Sequence, residues 1–181
     1  MTQTVAKWVE VAGLTKEKDL ATQKECFFEE HEEFREAYGQ QDYLGMIDAL
    51  ADMMFVKDVV IALLDGKMEH SVTDMEMSIY ILMGQSGFKG LKVKQAYQEV
   101  VRSNFTKFCR TSDDAELSVQ EYASIGVQAE AVDRDGYLVI TSSADQEDDN
   151  GKKYPKGKIL KGIHYEPPQL KAVLDAPAYL Y

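Results

Sequence analysis

Between Met46 and Leu64 nearly every residue is apolar, and the exceptions are Asp48, Asp52, Lys57 and Asp58. A helix that is apolar on all sides is buried on all sides. The rest of the chain, or another copy of it, therefore has to be arranged around this segment. Asp48 and Asp52 are four residues apart and project from one helical face, while Lys57 lies about half a turn away and is badly placed to neutralise them. A carboxylate buried without a partner protonates, pairs or binds a metal.

Upstream, Glu29-Glu30-His31-Glu32-Glu33 opens a second segment of helical spacing. Phe27, Phe34 and Ala37 form its apolar stripe, with Glu30 inside the stripe and Glu33 at its edge. Two antiparallel helices joined by the short Gly-bounded turn between them would bring Glu30, Glu33, Asp48 and Asp52 together. Four converging acids repel one another, and a bound cation reverses that repulsion. An all-carboxylate donor set suits hard cations, Mg²⁺, Mn²⁺ or Ca²⁺, and Mg²⁺ in such sites completes its shell with water and substrate phosphates. The competing reading is an acidic face that is simply solvated, which suits Glu29–Glu36 better than it suits Asp48 and Asp52.

A chain of 181 residues suffices for one domain. Its 20 basic and 31 acidic residues give a net charge of −11, which argues against general binding to nucleic acid or to anionic membranes. The N-terminal stretch lacks the apolar run of a signal peptide and no segment reads as a membrane span, so a cytoplasmic location is expected. Cys26 and Cys109 read as free core thiols.

Along the chain, helices are expected over Thr4–Val11, Leu20–Tyr38, Asp42–Leu64, Met75–Met83 and Lys92–Phe108, with Asp42 as an N-cap and Gly39 and Gly66 as terminators. Trp8 is expected to pack on the bundle. From Thr111 onward the pattern changes. Val127–Val132 and Tyr137–Thr141 flank Asp133-Arg134-Asp135-Gly136 and read as a β-hairpin turning at the Asp-Gly step. Asp145–Asn150 fails the calcium-loop pattern and reads as a solvated loop. The expected architecture is mainly α, an antiparallel helical bundle over residues 1–110, with the hairpin and tail of 111–181 completing the same domain.

Taken together, these residues resemble the all-α nucleoside triphosphate pyrophosphohydrolases, the MazG-like and phosphoribosyl-ATP pyrophosphohydrolase-like group, in its bacterial or phage form. The group's pattern is E-E-x-x-E followed one helix later by E-x-x-D. Glu29–Glu33 matches the first half and Asp52 the final Asp. Ala49 stands where the pattern has Glu, and Asp48 is the available substitute. Ser103-Asn104-Phe105-Thr106-Lys107 resembles an S-N-x-x-K segment of the group. Gly157–Gly162 with Tyr165-Glu166-Pro167-Pro168 resembles its G-K-x-x-K tail.

The resemblance implies that Glu30, Glu33, Asp48 and Asp52 hold Mg²⁺ (or Mn²⁺), with Glu29 close by. Glu30 or Glu33 would activate a water for attack at the α-phosphorus, giving a nucleoside monophosphate and pyrophosphate. A triphosphate brings more negative charge than the divalent ions cancel, so Lys107, Lys158 and Lys161 are the candidate substrate cations. Asn104 is a hydrogen-bonding partner and Tyr165 a base-stacking candidate. A homo-dimer or homo-tetramer is expected, with no nucleic acid or membrane partner. Two rival readings stand beside the enzyme: an acidic interaction protein that mimics nucleic acid, and a nucleotide-binding regulator inactivated by the change at Ala49.

Overall fold

The computed structural model describes residues 4–176. Seven helices and two antiparallel β-hairpins make up the regular structure of those residues, so the chain is mainly helical. It divides into two compact units. Among the described residues, the first comprises 4–9, 14–102 and 168–176, and the second comprises 10–13 and 103–167. Cys109 exchanges backbone hydrogen bonds with Leu138, at 2.9 and 3.0 Å, which ties the stretch just after the fifth helix to the hairpin that follows.

Helices α1 (Val5–Ala12), α2 (Lys16–Gln40) and α3 (Tyr43–Leu63) run with short connections. They are followed by α4 (His70–Ser86) and α5 (Gly90–Phe105). The α2–α3 pairing is the most extensive in the chain. It is an αα-hairpin closed by two backbone devices. Gln41 adopts a left-handed conformation (φ 58°) as the C-cap of α2, and Asp42 caps α3 by accepting from the N–H groups of Leu44 and Gly45, both at 3.1 Å. The N-cap fell where the sequence placed it, whereas Gly39 lies inside α2 and Gln41 does the terminating. Gly45 has a role in the close approach of the two helices, because a Cβ there would stand 3.0 Å from that of Ala37.

The apolar run in α3 is buried within the chain. Ile47, Leu50, Ala51, Met53, Val59 and Val60 are fully enclosed, packed by α2, by α4 and by the C-terminal helix α7 (Leu170–Asp175). A second subunit is therefore not required to cover α3. Trp8 meets Phe55 edge-on with ring centroids 5.1 Å apart, the packing role expected of it. Met75–Met83 belongs to the longer α4, which runs through Gly84 and ends at Gly87 (φ 72°). Helix α7 has only six residues, and Lys92 of α5 holds its C-terminal end. The Lys92 ammonium donates to the carbonyls of Val173 (2.5 Å), Leu174 (3.1 Å) and Ala176.

In the second unit, β1 (Ala129–Arg134) and β2 (Tyr137–Ser142) pair with Arg134 opposite Tyr137, leaving Asp135-Gly136 as a two-residue turn. Both turn residues have positive φ (53° and 75°), the type I′ geometry that follows the natural twist of the strands. A helix the sequence reading did not anticipate, α6 (Ser112–Ser124), precedes the hairpin, and its N-cap Thr111 accepts from the N–H of Asp114. Cys109, Ala115, Val127, Ile140, Tyr154 and Leu160 form the core of this unit. Neither cysteine is in a disulfide.

Of the run Asp145–Asn150, read as a solvated loop, Asp145, Glu147, Asp149 and Asn150 are exposed, but the run also holds a short strand and one buried acid. Gln146–Glu147 (β3) pairs with Lys153–Tyr154 (β4), and Asp148 is 9 % exposed. Its carboxylate accepts from the N–H groups of Lys152 (2.9 Å) and Asn150 (3.0 Å) and from the Tyr154 hydroxyl (3.0 Å). No helix among the described residues is long and apolar enough to cross a membrane.

Candidate functional site

Glu30 and Glu33 lie on α2 and Asp48 and Asp52 on α3, facing the seam of the helical hairpin. Glu30, Asp48 and Asp52 are half-buried and Glu33 is exposed. The Glu30 carboxyl is pushed up to about 8, first by burial and then by the charges of Asp52, Glu33, Asp48 and Glu29, in that order. Asp48 is raised as well, by burial and then by Glu33. Among the acids of α3, Asp52 acts most on Glu30, and Glu33 is the acid that acts on Asp48, as an antiparallel pairing of α2 with α3 leads one to expect. The four acids singled out from the sequence thus act on one another across two helices.

No basic side chain is set against Glu30, Glu33 or Asp48 among the described residues. Lys57, the nearest cation along α3, pairs instead with Asp58 at 3.4 Å. The second oxygen of Asp58 accepts from the Tyr97 hydroxyl at 2.5 Å. Burial and that bond to Asp58 raise the Tyr97 pKa. This half-buried Lys57-Asp58-Tyr97 group was missed in the sequence, where only the placement of Lys57 away from the acid face was visible. Ala49 is 2 % exposed. The position at which the resemblance has a Glu therefore faces the core, and Asp48 is the acid on the seam.

The donor set has the chemistry of a hard-cation site, with carboxylate oxygens only and excess negative charge. As the side chains stand, no group of three or more His, Cys, Asp or Glu among the described residues is arranged to hold a metal ion.

The remaining candidates belong to the second unit. Asn104 is buried, and its Oδ1 accepts from the Lys107 ammonium at 2.6 Å. Ser103 donates to the carbonyl of Glu166 at 2.8 Å, and Gly162 donates its N–H to the carbonyl of Lys107 at 2.9 Å. The two weaker motifs, Ser103–Lys107 and the tail after Gly157, are therefore packed against each other. Gly162 permits this approach, since a Cβ there would lie 2.7 Å from the Cys109 sulfur and 3.0 Å from the Lys107 carbonyl. The Lys161 ammonium sits 4.1 Å from the centroid of the Tyr165 ring, and the Lys158 ammonium 5.6 Å from that of Tyr154. Tyr165 is half-buried beneath Lys161, which limits it as an open stacking platform.

Comparison of the chain with protein-family models, with curated proteins and with solved structures finds no match.

Proposed function

We propose that the chain is a Mg²⁺-dependent nucleoside triphosphate pyrophosphohydrolase of the all-α type, releasing a monophosphate and pyrophosphate by water attack at the α-phosphorus. The observation that carries this reading is the convergence of Glu30, Glu33, Asp48 and Asp52 on the α2–α3 seam, three of them half-buried, where burial and the neighbouring acids push the Glu30 carboxyl up to about 8. Such a concentration of like charge is costly to a fold unless a cation joins it. Glu30, Glu33, Asp48 and Asp52 are the residues that would hold the ion. When bound, a divalent ion supplies charge stabilisation to the phosphate oxygens and to the leaving pyrophosphate.

The chain's own contribution is positional. Glu33, exposed on the seam, is the carboxylate able to reach a water and orient or deprotonate it, with Glu30 as the second candidate. Asp48 and Asp52, fixed on the buried helix α3, define the other side. The resemblance assigns substrate contacts to Lys107, Lys158, Lys161, Asn104 and Tyr165, all within the second unit. Asn104 already orders Lys107 through the bond at 2.6 Å.

Pyrophosphate release measured across the common nucleoside triphosphates, with and without Mg²⁺, tests the reading directly. The expected result is Mg²⁺-dependent release from at least one nucleotide. Glu33→Gln is expected to lower kcat by about 10²-fold or more while helical content by circular dichroism is unchanged. Near-normal turnover in that variant would remove the quartet from catalysis. Absence of release with every nucleotide, combined with retained nucleotide binding, would favour the regulator; absence of both would favour the acidic interaction protein. Charge reversal at Lys107 is expected to raise KM more than it alters folding.

A further inference from the structure

Strand β1 (Ala129–Arg134) pairs on one side only, with β2. The hydrogen bonds of β2 fix which groups of β1 look outward. Leu138, Ile140 and Ser142 use backbone groups on the far side of β2, toward Cys109, Leu160 and Lys158. In an antiparallel pair the residues opposite them, Asp133, Ala131 and Ala129, then turn their own N–H and C=O groups away from β2. Nothing among the described residues takes those groups up. The strand has no bulge, no proline and no lysine, features with which proteins commonly close an edge.

Alongside that edge, between β1 and α6, runs a groove of about 490 Å³. Ala115 and Val119 of α6 and Ala131 and Leu138 of the hairpin make its apolar floor, with Glu116 and Gln120 on the rim. An open strand edge beside an apolar groove can receive an extended chain as one further strand, main chain on main chain, with every second side chain in the groove. The charges indicate what kind of chain. Glu116, Glu130 and Asp133 are exposed, and neither acid of β1 has an ion-pair partner among the described residues. No base lines the groove, and the guanidinium of Arg134 is engaged by the Ala12 carbonyl. We propose that this edge binds an extended segment of another protein in which apolar and basic residues alternate. The apolar residues enter the groove opposite Ala131, and the basic ones meet Glu130 on the other face. A second copy of the chain would add its own acids to an acidic edge, which opposes self-pairing. The groove lies wholly within the second unit, so the inference holds or fails independently of the α2–α3 acids and of the catalytic reading.

Titration of the isotopically labelled full chain with a blocked peptide of alternating valine and lysine, followed by NMR, tests it. The expected result is saturable binding with shifts and slowed hydrogen exchange at the amides of Ala129, Ala131 and Asp133. Binding should be tighter by about ten-fold or more than for a peptide of alternating valine and glutamate. Ala131→Pro removes one outward N–H at a position where an edge strand accepts proline, and leaves the charge as it was. It is expected to weaken binding by about ten-fold or more. Methylating alternate amide nitrogens of the peptide is expected to do the same with the protein unaltered, which supplies the answer if Ala131→Pro disturbs the hairpin. Glu130→Lys is expected to narrow the preference between the two peptides. Failure of the valine-lysine peptide to bind would overturn the proposal. So would binding that survives both Ala131→Pro and peptide methylation, since that is charge attraction alone. Sedimentation velocity showing a dimer of the unaltered chain that Ala131→Pro dissociates would give the edge to a second copy and overturn it too.

Discussion

The helical unit and the hairpin unit each withdraw a carboxylate from water, and they treat it in opposite ways. Asp148, between β3 and β4, receives two backbone N–H groups and a tyrosine hydroxyl, and its pKa is lowered, chiefly by the bond from Lys152. Glu30, on the α2–α3 seam, is raised to about 8 by burial and by four other acids. Hydrogen-bond donors stabilise the charged form, and desolvation with like charge opposes it. Asp148 is thus a structural anion that organises its own loop, while Glu30 is an anion the fold alone does not stabilise. That asymmetry is the physical basis for looking for cation ligands among the acids of the first unit and not at Asp148.

The comparison breaks most visibly if the structural acid is removed. Asp148→Ala leaves the N–H groups of Lys152 and Asn150 and the Tyr154 hydroxyl without their acceptor, and is expected to lower the Tm by ~5 °C or more in a thermal melt. An unchanged Tm would show that the carboxylate organises nothing. A smaller loss is expected from Gly162→Ala, which forces a methyl group against the Cys109 sulfur and the Lys107 carbonyl. Overpacking of this kind costs about 1–3 kcal/mol, measurable by denaturant unfolding.

The smallest effect, and the one of opposite sign, is expected from Glu30→Gln. Folded Glu30 keeps its proton up to about pH 8, whereas the unfolded chain releases it near the ordinary glutamate value. Between those limits the folded state binds more protons, so stability falls as pH rises. The contribution is fully present at pH 4 and lost as pH passes through about 8. Metal-free Glu30→Gln protein is therefore expected to unfold like the unaltered protein at pH 4. At pH 8.5 it should be more stable by roughly 1 kcal/mol, allowing for partial screening by solvent. A variant less stable at both pH values would mean that the Glu30 carboxyl makes a favourable contact the comparison lacks. Adding Mg²⁺ at pH 8.5 is expected to raise the Tm of the unaltered protein and to do so much less in Glu30→Gln.

Much of the helical unit was legible because its signals are local. Asp48 and Asp52 stand out against an apolar helix, Asp42 is a capping residue directly before that helix, and Phe27, Phe34 and Ala37 mark the stripe that Glu30 interrupts. Asp135-Gly136 was legible for the same reason, since the turn type dictates the dipeptide. Which acids of α2 act on which acids of α3 depends on how the two helices pack, which no single segment specifies.

Helix α6 escaped notice because its buried positions are Ala115 and the polar Ser118, too weak a stripe to set a period. Its one clear signal was the cap, Thr111 followed three residues later by Asp114. The burial of Asp148 within the acidic run 145–150 was not legible because its partners include Lys152 and Tyr154, four and six residues further on, which adopt their positions only through the β3–β4 pairing.

The attachment of the C-terminal helix through Lys92 has a practical consequence. A six-residue helix does not sustain itself in water, so α7 depends on its packing against α3 and on the bonds from Lys92 to its C-terminal carbonyls. Acetylation or carbamylation of that amine would abolish its charge together with most of its donor capacity, and the C-terminal end of α7 is expected to loosen while α2 and α3 stay paired. Limited proteolysis after lysine modification would then trim the carboxyl end first, making the state of a single side chain readable on a gel.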